Sequence, residues 1–183
     1  MDLIVIGGSA GALQVIYRLL PRLQLPLPVL VVMHINRQTQ STLEQSLSHM
    51  GRYARFACDK DKLAPGRVLL APAGYHVLVN PDLTVSMGDG GRVNFAKPSI
   101  DVTFSSAAMT LGARVLGVLL SGANRDGAEG LKKLQDEGAK TLVQTPESAE
   151  FAMMPHAALD IMVPSRLVAP PEMAESIADL VQV

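Results

Sequence analysis

Cysteine is almost missing from this chain. Cys58 is the only one, so no disulfide can close within it, and a reducing, cytoplasmic setting is expected. An excess of either charge is missing too: 16 Lys and Arg stand against 17 Asp and Glu, for a net charge of −1. Without a broad basic field, nucleic acid is not an expected partner. No apolar run approaches the roughly 20 residues of a membrane helix, so no membrane insertion is expected. The first residues lack the basic stretch of a secretory leader. Asp2 stands there instead, and the apolar run Leu3–Ile6 is too short for its core. Repeats and low-complexity tracts are also absent. What remains is a chain of 183 residues, 48% hydrophobic and 18% charged. That suffices for a sizeable core and predicts one globular domain over residues 1–183.

Leu3–Ile6 is a short apolar run closed by glycines, which predicts a buried strand. Ala10–Leu20 carries Leu13, Ile16, Tyr17 and Leu20 at the spacing of one helix face. Pro28–Met33 is a second buried strand on the same reasoning, and Thr42–Met50 reads as a helix. Strand, helix, strand, helix predicts an α/β fold, a doubly wound, mostly parallel sheet of Rossmann-like type. In the middle, Arg67–Ala71, His76–Val79 and Thr84–Met87 are short runs separated by turn-forming residues. They predict an antiparallel hairpin excursion on the sheet edge. Ile100–Leu111 follows as a helix with Ser99 as its cap. Then come a strand at Arg114–Leu120, a helix at Gly127–Glu137, strands at Thr141–Gln144 and Ile161–Val163, and a closing helix at Pro171–Val181.

Ligands of an open parallel sheet gather at the carboxyl ends of its strands. Three segments lie there: Gly7–Gly11, Met33–Asn36 and Ser121–Gly127. The first is either a phosphate-cradling glycine turn or a nucleophile elbow. A dinucleotide fingerprint needs glycines at its first, third and sixth positions, and here Ser9 and Ala12 occupy the second and third of these. No acidic residue closes the second strand for a ribose, and no Walker lysine follows the turn. Gly7-x-Ser9-x-Gly11 does match the G-x-S-x-G elbow between strand and helix.

A serine nucleophile needs a base. Of His34, His49, His76 and His156, only His34 ends a parallel strand, and sequential strands are usually neighbours. The acid of the third segment is Asp126. It either orients the imidazole or, with Glu129 three residues on, caps its own helix.

These residues resemble the catalytic domain of the CheB family of bacterial chemotaxis-receptor methylesterases. The family's I-G-[AG]-S-x-G-G motif is similar to Ile6–Ala12, and its histidine-ending strand to Val29–His34. Its L-P-G-x-x-x-[IL]-A-P-x-x-x-H stretch resembles Ala64–His76, and R-P-S-[VI]-D resembles Lys97–Asp101. Its [ST]-G-M-x-x-D-G loop resembles Ser121–Gly127, its G-x-x-x-[LM]-x-x-x-G-A pattern Gly130–Ala139, and its F-G-M-P stretch Phe151–Pro155. The resemblance runs from about Val5 to about Ile161.

It implies a serine hydrolase that removes methyl esters from glutamate side chains on chemoreceptor helices, with glutamine deamidation as a second activity of many members. Ser9 would be the nucleophile, His34 the base and Asp126 the orienting carboxylate. The Ala123 amide occupies the family's oxyanion position, and the Ala10 amide is a second candidate on elbow logic. Neither metal nor cofactor is implied.

The departures are Ala10, Ala12, Asn36-Arg37 in place of Pro-Pro, Lys97 in place of arginine, and Ala123 in place of methionine. They cluster around substrate contacts and spare the three presumed catalytic side chains. The family usually carries a receiver domain before this one, whereas here Met1 runs straight into the first strand. The chain is either a stand-alone member or a piece of a longer one; a stand-alone member is expected to have an open rim or to be covered by a separate protein, and a separate receiver or a receptor methyltransferase is a candidate partner. Two other readings remain: a serine esterase acting on a different substrate, and a signalling module that binds without turnover. In either active form, Asp126→Asn is expected to slow turnover while leaving the fold intact.

Overall fold

The computed structural model describes the chain except for residues 24–25, 36–37, 39, 41–42, 44, 47–53 and 182–183. His49, the Asn36-Arg37 pair and most of the predicted helix Thr42–Met50 lie outside the described residues. Seven strands form one sheet: β1 (Leu3–Gly8), β2 (Val29–Met33), β3 (Ala54–Phe56), β4 (Val68–Leu70), β7 (Val115–Leu119), β8 (Lys140–Gln144) and β9 (Arg166–Val168). Their spatial order is β3-β4-β2-β1-β7-β8-β9, and every pair is parallel. The doubly wound α/β fold is therefore as the sequence predicts.

The central strands are continuous apolar runs because both of their faces are covered. Along β1, Leu3 and Val5 join the core on one face, and Ile4 and Ile6 join the core on the other. Helices α1 (Ala12–Leu19) and α5 (Met173–Val181) cover the Ile4 face through Ile16, Leu19, Ile177 and Leu180. Helices α2 (Ile100–Leu111), α3 (Ala128–Asp136) and α4 (Met153–Leu159) cover the Leu3 face through Ile100, Phe104, Leu131, Leu134 and Met154. Each such side chain, fully buried, contributes ~1.5–3 kcal/mol relative to exposure.

The middle segment differs from expectation. Val68–Leu70 is not part of an antiparallel excursion. It is an interior parallel strand between β2 and β3, consistent with three consecutive buried residues. The other two runs, as β5 (His76–Val79) and β6 (Val85–Gly88), do pair antiparallel, and they form their own small sheet rather than extending the edge of the main one. This hairpin docks on α2. Thr103 Oγ1 donates to the Val77 carbonyl at 2.7 Å, and the Val79 N–H donates to Ser106 Oγ at 3.0 Å. The last strand is also displaced: Ile161–Val163 is irregular, with Met162 packed into the core, and Arg166–Val168 forms the edge.

Candidate active site

The two halves of the sheet wind in opposite senses from β1, so the ends of β1, β2 and β7 meet at the crevice where such folds hold ligands. The pairing continues just past the strands. The Ser9 N–H donates to the Ser121 carbonyl at 2.9 Å, and the His34 N–H donates to the Gly8 carbonyl at 3.4 Å. Ser9 is thereby set between His34 on one side and Ser121 on the other.

Two glycines make this possible. A Cβ on Gly7 would lie 2.4 Å from Ile100 Cγ2, so the bare backbone lets the start of α2 close on the end of β1. Gly11 turns the chain into α1 at φ +79°, and a Cβ there would lie 2.6 Å from Ser121 Oγ. That hydroxyl donates to the Ala10 carbonyl at 2.8 Å and accepts from the Phe151 N–H at 3.0 Å, clasping the elbow to two further loops.

His34 Nδ1 stands 3.1 Å from Ser9 Oγ, and its Nε2 stands 2.7 Å from Asp126 Oδ2. Turning the ring by 180° would place carbon at both contacts, so the two hydrogen bonds fix its orientation. With Nε2–H donating to a carboxylate, Nδ1 is the bare nitrogen facing the serine. The commoner hydrolase arrangement has Nε2 in that position. His76 is buried and committed elsewhere: Nδ1 accepts from the Ser99 N–H at 3.1 Å, and Nε2 donates to the Gly91 carbonyl at 2.8 Å. His156 is exposed on α4.

Asp126 is fully buried, and its own helix is not what it caps. The N-cap of α3 is Gly127, with no side-chain cap bond. The carboxylate instead receives the first turn of α2: Ile100 N–H at 2.7 Å, Asp101 N–H at 3.2 Å and Ser99 Oγ at 2.7 Å. Asn94 Nδ2 adds a donor at 3.2 Å. Burial pushes the Asp126 carboxyl up, but the hydrogen bonds from His34, Ser99, Ile100 and Asn94 prevail and hold it below the ordinary carboxylate range. The positive end of α2 thus keeps Asp126 ionised beside the imidazole.

Sequence reasoning missed Asn94 and Asn124. Asn124 Oδ1 accepts from the Asp126 N–H at 3.1 Å, and its Nδ2 lies 3.4 Å from His34 Nδ1. Asn94 also donates to Asp101 Oδ2 at 2.6 Å, and so bridges two carboxylates. Asn94 has its side-chain partners on other elements, and the local bond of Asn124, from the Asp126 N–H two residues on, is an ordinary turn contact, so neither asparagine stands out in the sequence. Ser99, expected only as a helix cap, also donates to Asp126.

Asp101 is the second buried acid, with Oδ1 accepting from the Gly130 N–H at 2.7 Å. Burial, aided by the charge of Asp126, pushes it up to about 6 against the pull of the Gly130 and Gly127 amides and Asn94. The folded chain therefore holds this proton more tightly than the unfolded chain does. Asp101 adds stability as pH falls from about 6 toward the ordinary carboxylate value of 3.8. Melting temperatures of the native protein and Asp101→Asn, taken from pH 7 to pH 4, should shift steadily in favour of the native protein. A difference independent of pH would place Asp101 ionised throughout.

Ser9, His34, Asn124, Arg92, Phe95 and Lys97 are among the residues lining a cleft of about 350 Å³. Lys97 Nζ is paired with Asp89 at 2.8 Å. Ala10 and Ala123 are exposed on the loops after β1 and β7, and among the described residues neither N–H has an acceptor. No helix among the described residues is long and apolar enough to cross a membrane.

The family model for CheB methylesterase matches residues 4–177. A putative protein-glutamate methylesterase/protein-glutamine glutaminase of Leptospira interrogans is 39% identical over 162 residues, covering 87% of this chain and 84% of that protein. A protein-glutamate methylesterase/protein-glutamine glutaminase of Carboxydothermus hydrogenoformans is 34% identical over 97% of this chain and 54% of its own length. The crystal structure of the CheB methylesterase catalytic domain of Thermotoga maritima matches with a TM-score of 0.93. It is 23% identical in sequence, and the match covers 98% of both chains.

Proposed function

Because the chain belongs to the CheB methylesterase family, we propose that it hydrolyses γ-glutamyl methyl esters on the cytoplasmic helices of chemoreceptors, with Ser9, His34 and Asp126 as its catalytic triad. The observation that carries this reading is the unbroken chain of hydrogen bonds from Ser9 Oγ through His34 to the buried Asp126 carboxylate. Ser9 Oγ attacks the ester carbonyl while its proton passes to His34 Nδ1. The Asp126 carboxylate stabilises the resulting imidazolium through Nε2–H. The free N–H groups of Ala123 and Ala10 supply the oxyanion donors.

Collapse of the tetrahedral adduct breaks the C–O bond to the methoxy group, and the proton on Nδ1 leaves with it as methanol. Water then gives a proton to Nδ1 and its oxygen to the acyl carbon; the C–Oγ bond breaks, the Nδ1 proton passes to Ser9 Oγ, and glutamate is freed. The balance closes without a cofactor. A glutamine side chain would follow the same course with ammonia leaving, in keeping with the glutaminase activity in the relatives' names.

The test is methanol release from methylated chemoreceptor membranes by the native protein and by Ser9→Ala, with fluorophosphonate labelling of both. Release and labelling that both require Ser9 support the reading. Labelling without release leaves a serine hydrolase of other specificity, and neither one leaves a binding module.

A further inference from the structure

Val93 and Ala96 exchange both backbone hydrogen bonds, N–H to O at 3.1 and 2.9 Å, and so close a two-residue turn. Its central residues, Asn94 and Phe95, have φ of +49° and +63°. Two positive φ values in succession mark the type I′ turn, whose favoured pair is Asn-Gly. Asn94 suits its place, and the turn aims its side chain at Asp101 and Asp126. That accounts for the turn and leaves the ring at position 95 unexplained. A bulky residue in left-handed backbone is strained where glycine would not be. Burial does not compensate here, because Phe95 is 94% exposed.

The ring stands on the rim of the Ser9 cleft. On the other side of the same turn, Val93 lines a second groove of about 450 Å³ with Leu78, Val102 and Met109, and Met109 is 85% exposed. The one turn therefore presents apolar side chains to two recesses, Phe95 to the Ser9 cleft and Val93 to the second groove.

We infer that Phe95 is the docking contact for the polypeptide that carries the ester: an apolar side chain of the substrate protein seats against the ring as the esterified glutamate enters the cleft. This rests on the hydrolase reading of Ser9. The occupant is the receptor helix of the proposed function: apolar residues three and four positions from the esterified glutamate share its side of that helix and come against the ring as the ester reaches Ser9. Phe95 thus selects protein over small esters.

The experiment compares native protein, Phe95→Gly and Phe95→Leu on methylated chemoreceptor membranes and on p-nitrophenyl acetate, with melting temperatures alongside. Glycine relieves the positive φ, so Phe95→Gly should raise the melting temperature by about 2–4 °C. Its loss of kcat/KM on the methylated protein should exceed its loss on p-nitrophenyl acetate by about tenfold or more, the equivalent of one hot-spot side chain. Phe95→Leu, still apolar, should recover much of the difference. Equal kcat/KM ratios across the three proteins would overturn the docking role while leaving the hydrolase intact. A lower melting temperature in Phe95→Gly with parallel losses on both substrates would overturn it too, by making the ring a structural prop. A native protein inactive on the methylated membranes would fail before any variant is compared, and would overturn the substrate reading and this inference together.

Discussion

Ser9→Ala should lower kcat for ester hydrolysis by ~10⁶-fold and move the melting temperature by no more than about 2 °C. The asymmetry follows from what the hydroxyl touches. Its hydrogen bond is with His34 Nδ1, in a partly open cleft where water can replace it. The structural bonds of Ser9 belong to its backbone. The N–H donates to the Ser121 carbonyl and the carbonyl accepts from the Ala12 N–H, and alanine keeps both. The hydroxyl is lost without loss of the elbow. What survives is the rate due to the oxyanion donors and binding, ~10³–10⁴ over water in serine proteases of other folds. Single-turnover methanol release with melting curves reads both quantities. Retention of a few per cent of native activity would mean that His34 activates water directly and that Ser9 only binds.

Asp126→Asn should lower kcat by ~10⁴-fold, and it should also destabilise the fold. The structure here corrects the expectation of an intact fold. All five groups around the carboxylate are donors: His34 Nε2, the Ile100 and Asp101 N–H groups, Ser99 Oγ and Asn94 Nδ2. An amide must turn its –NH₂ toward one side or the other. Toward Oδ2 it meets the Ile100 N–H and reverses the His34 tautomer, which puts a proton on the nitrogen that should receive one. Toward Oδ1 it meets the Asp101 N–H and the Asn94 amide. Each buried donor left unpaired costs about 1–3 kcal/mol. Urea unfolding beside steady-state kinetics separates the two effects. A variant that loses stability but keeps kcat within tenfold would reduce Asp126 to a structural anchor.

The placement of the three residues was legible because it depends on strands. Leu3–Gly8, Val29–Met33 and Val115–Leu119 are buried on both faces, so their apolar runs are uninterrupted and their carboxyl ends stand out in the sequence. The surroundings of Asp126 were not legible. The D-x-x-E pattern with Glu129 is a local cap signal, while the helix that the carboxylate serves begins 26 residues earlier. Close backbone approaches at Gly7 and Gly127, where a Cβ would lie 2.4 and 2.8 Å from Ile100 Cγ2, bring the two together. The hairpin misled for a related reason. Short apolar runs between turns look alike whether they enter a parallel sheet, as Val68–Leu70 does, or cross a helix, as His76–Val79 does. The Val93–Ala96 turn carries no glycine to announce itself, so Asn94 and Phe95 passed unnoticed.

Asp126 joins the β7 loop, the first turn of α2 and the Asn94 turn through one carboxylate. In many enzymes the active site loosens and fails well below the temperature at which the core melts. Here the carboxylate bonded to His34 is also the anchor of a core helix, so the site has no softer mode of its own through this residue. Heat inactivation should coincide with the cooperative unfolding transition, and activity should return in step with refolding rather than lag behind it.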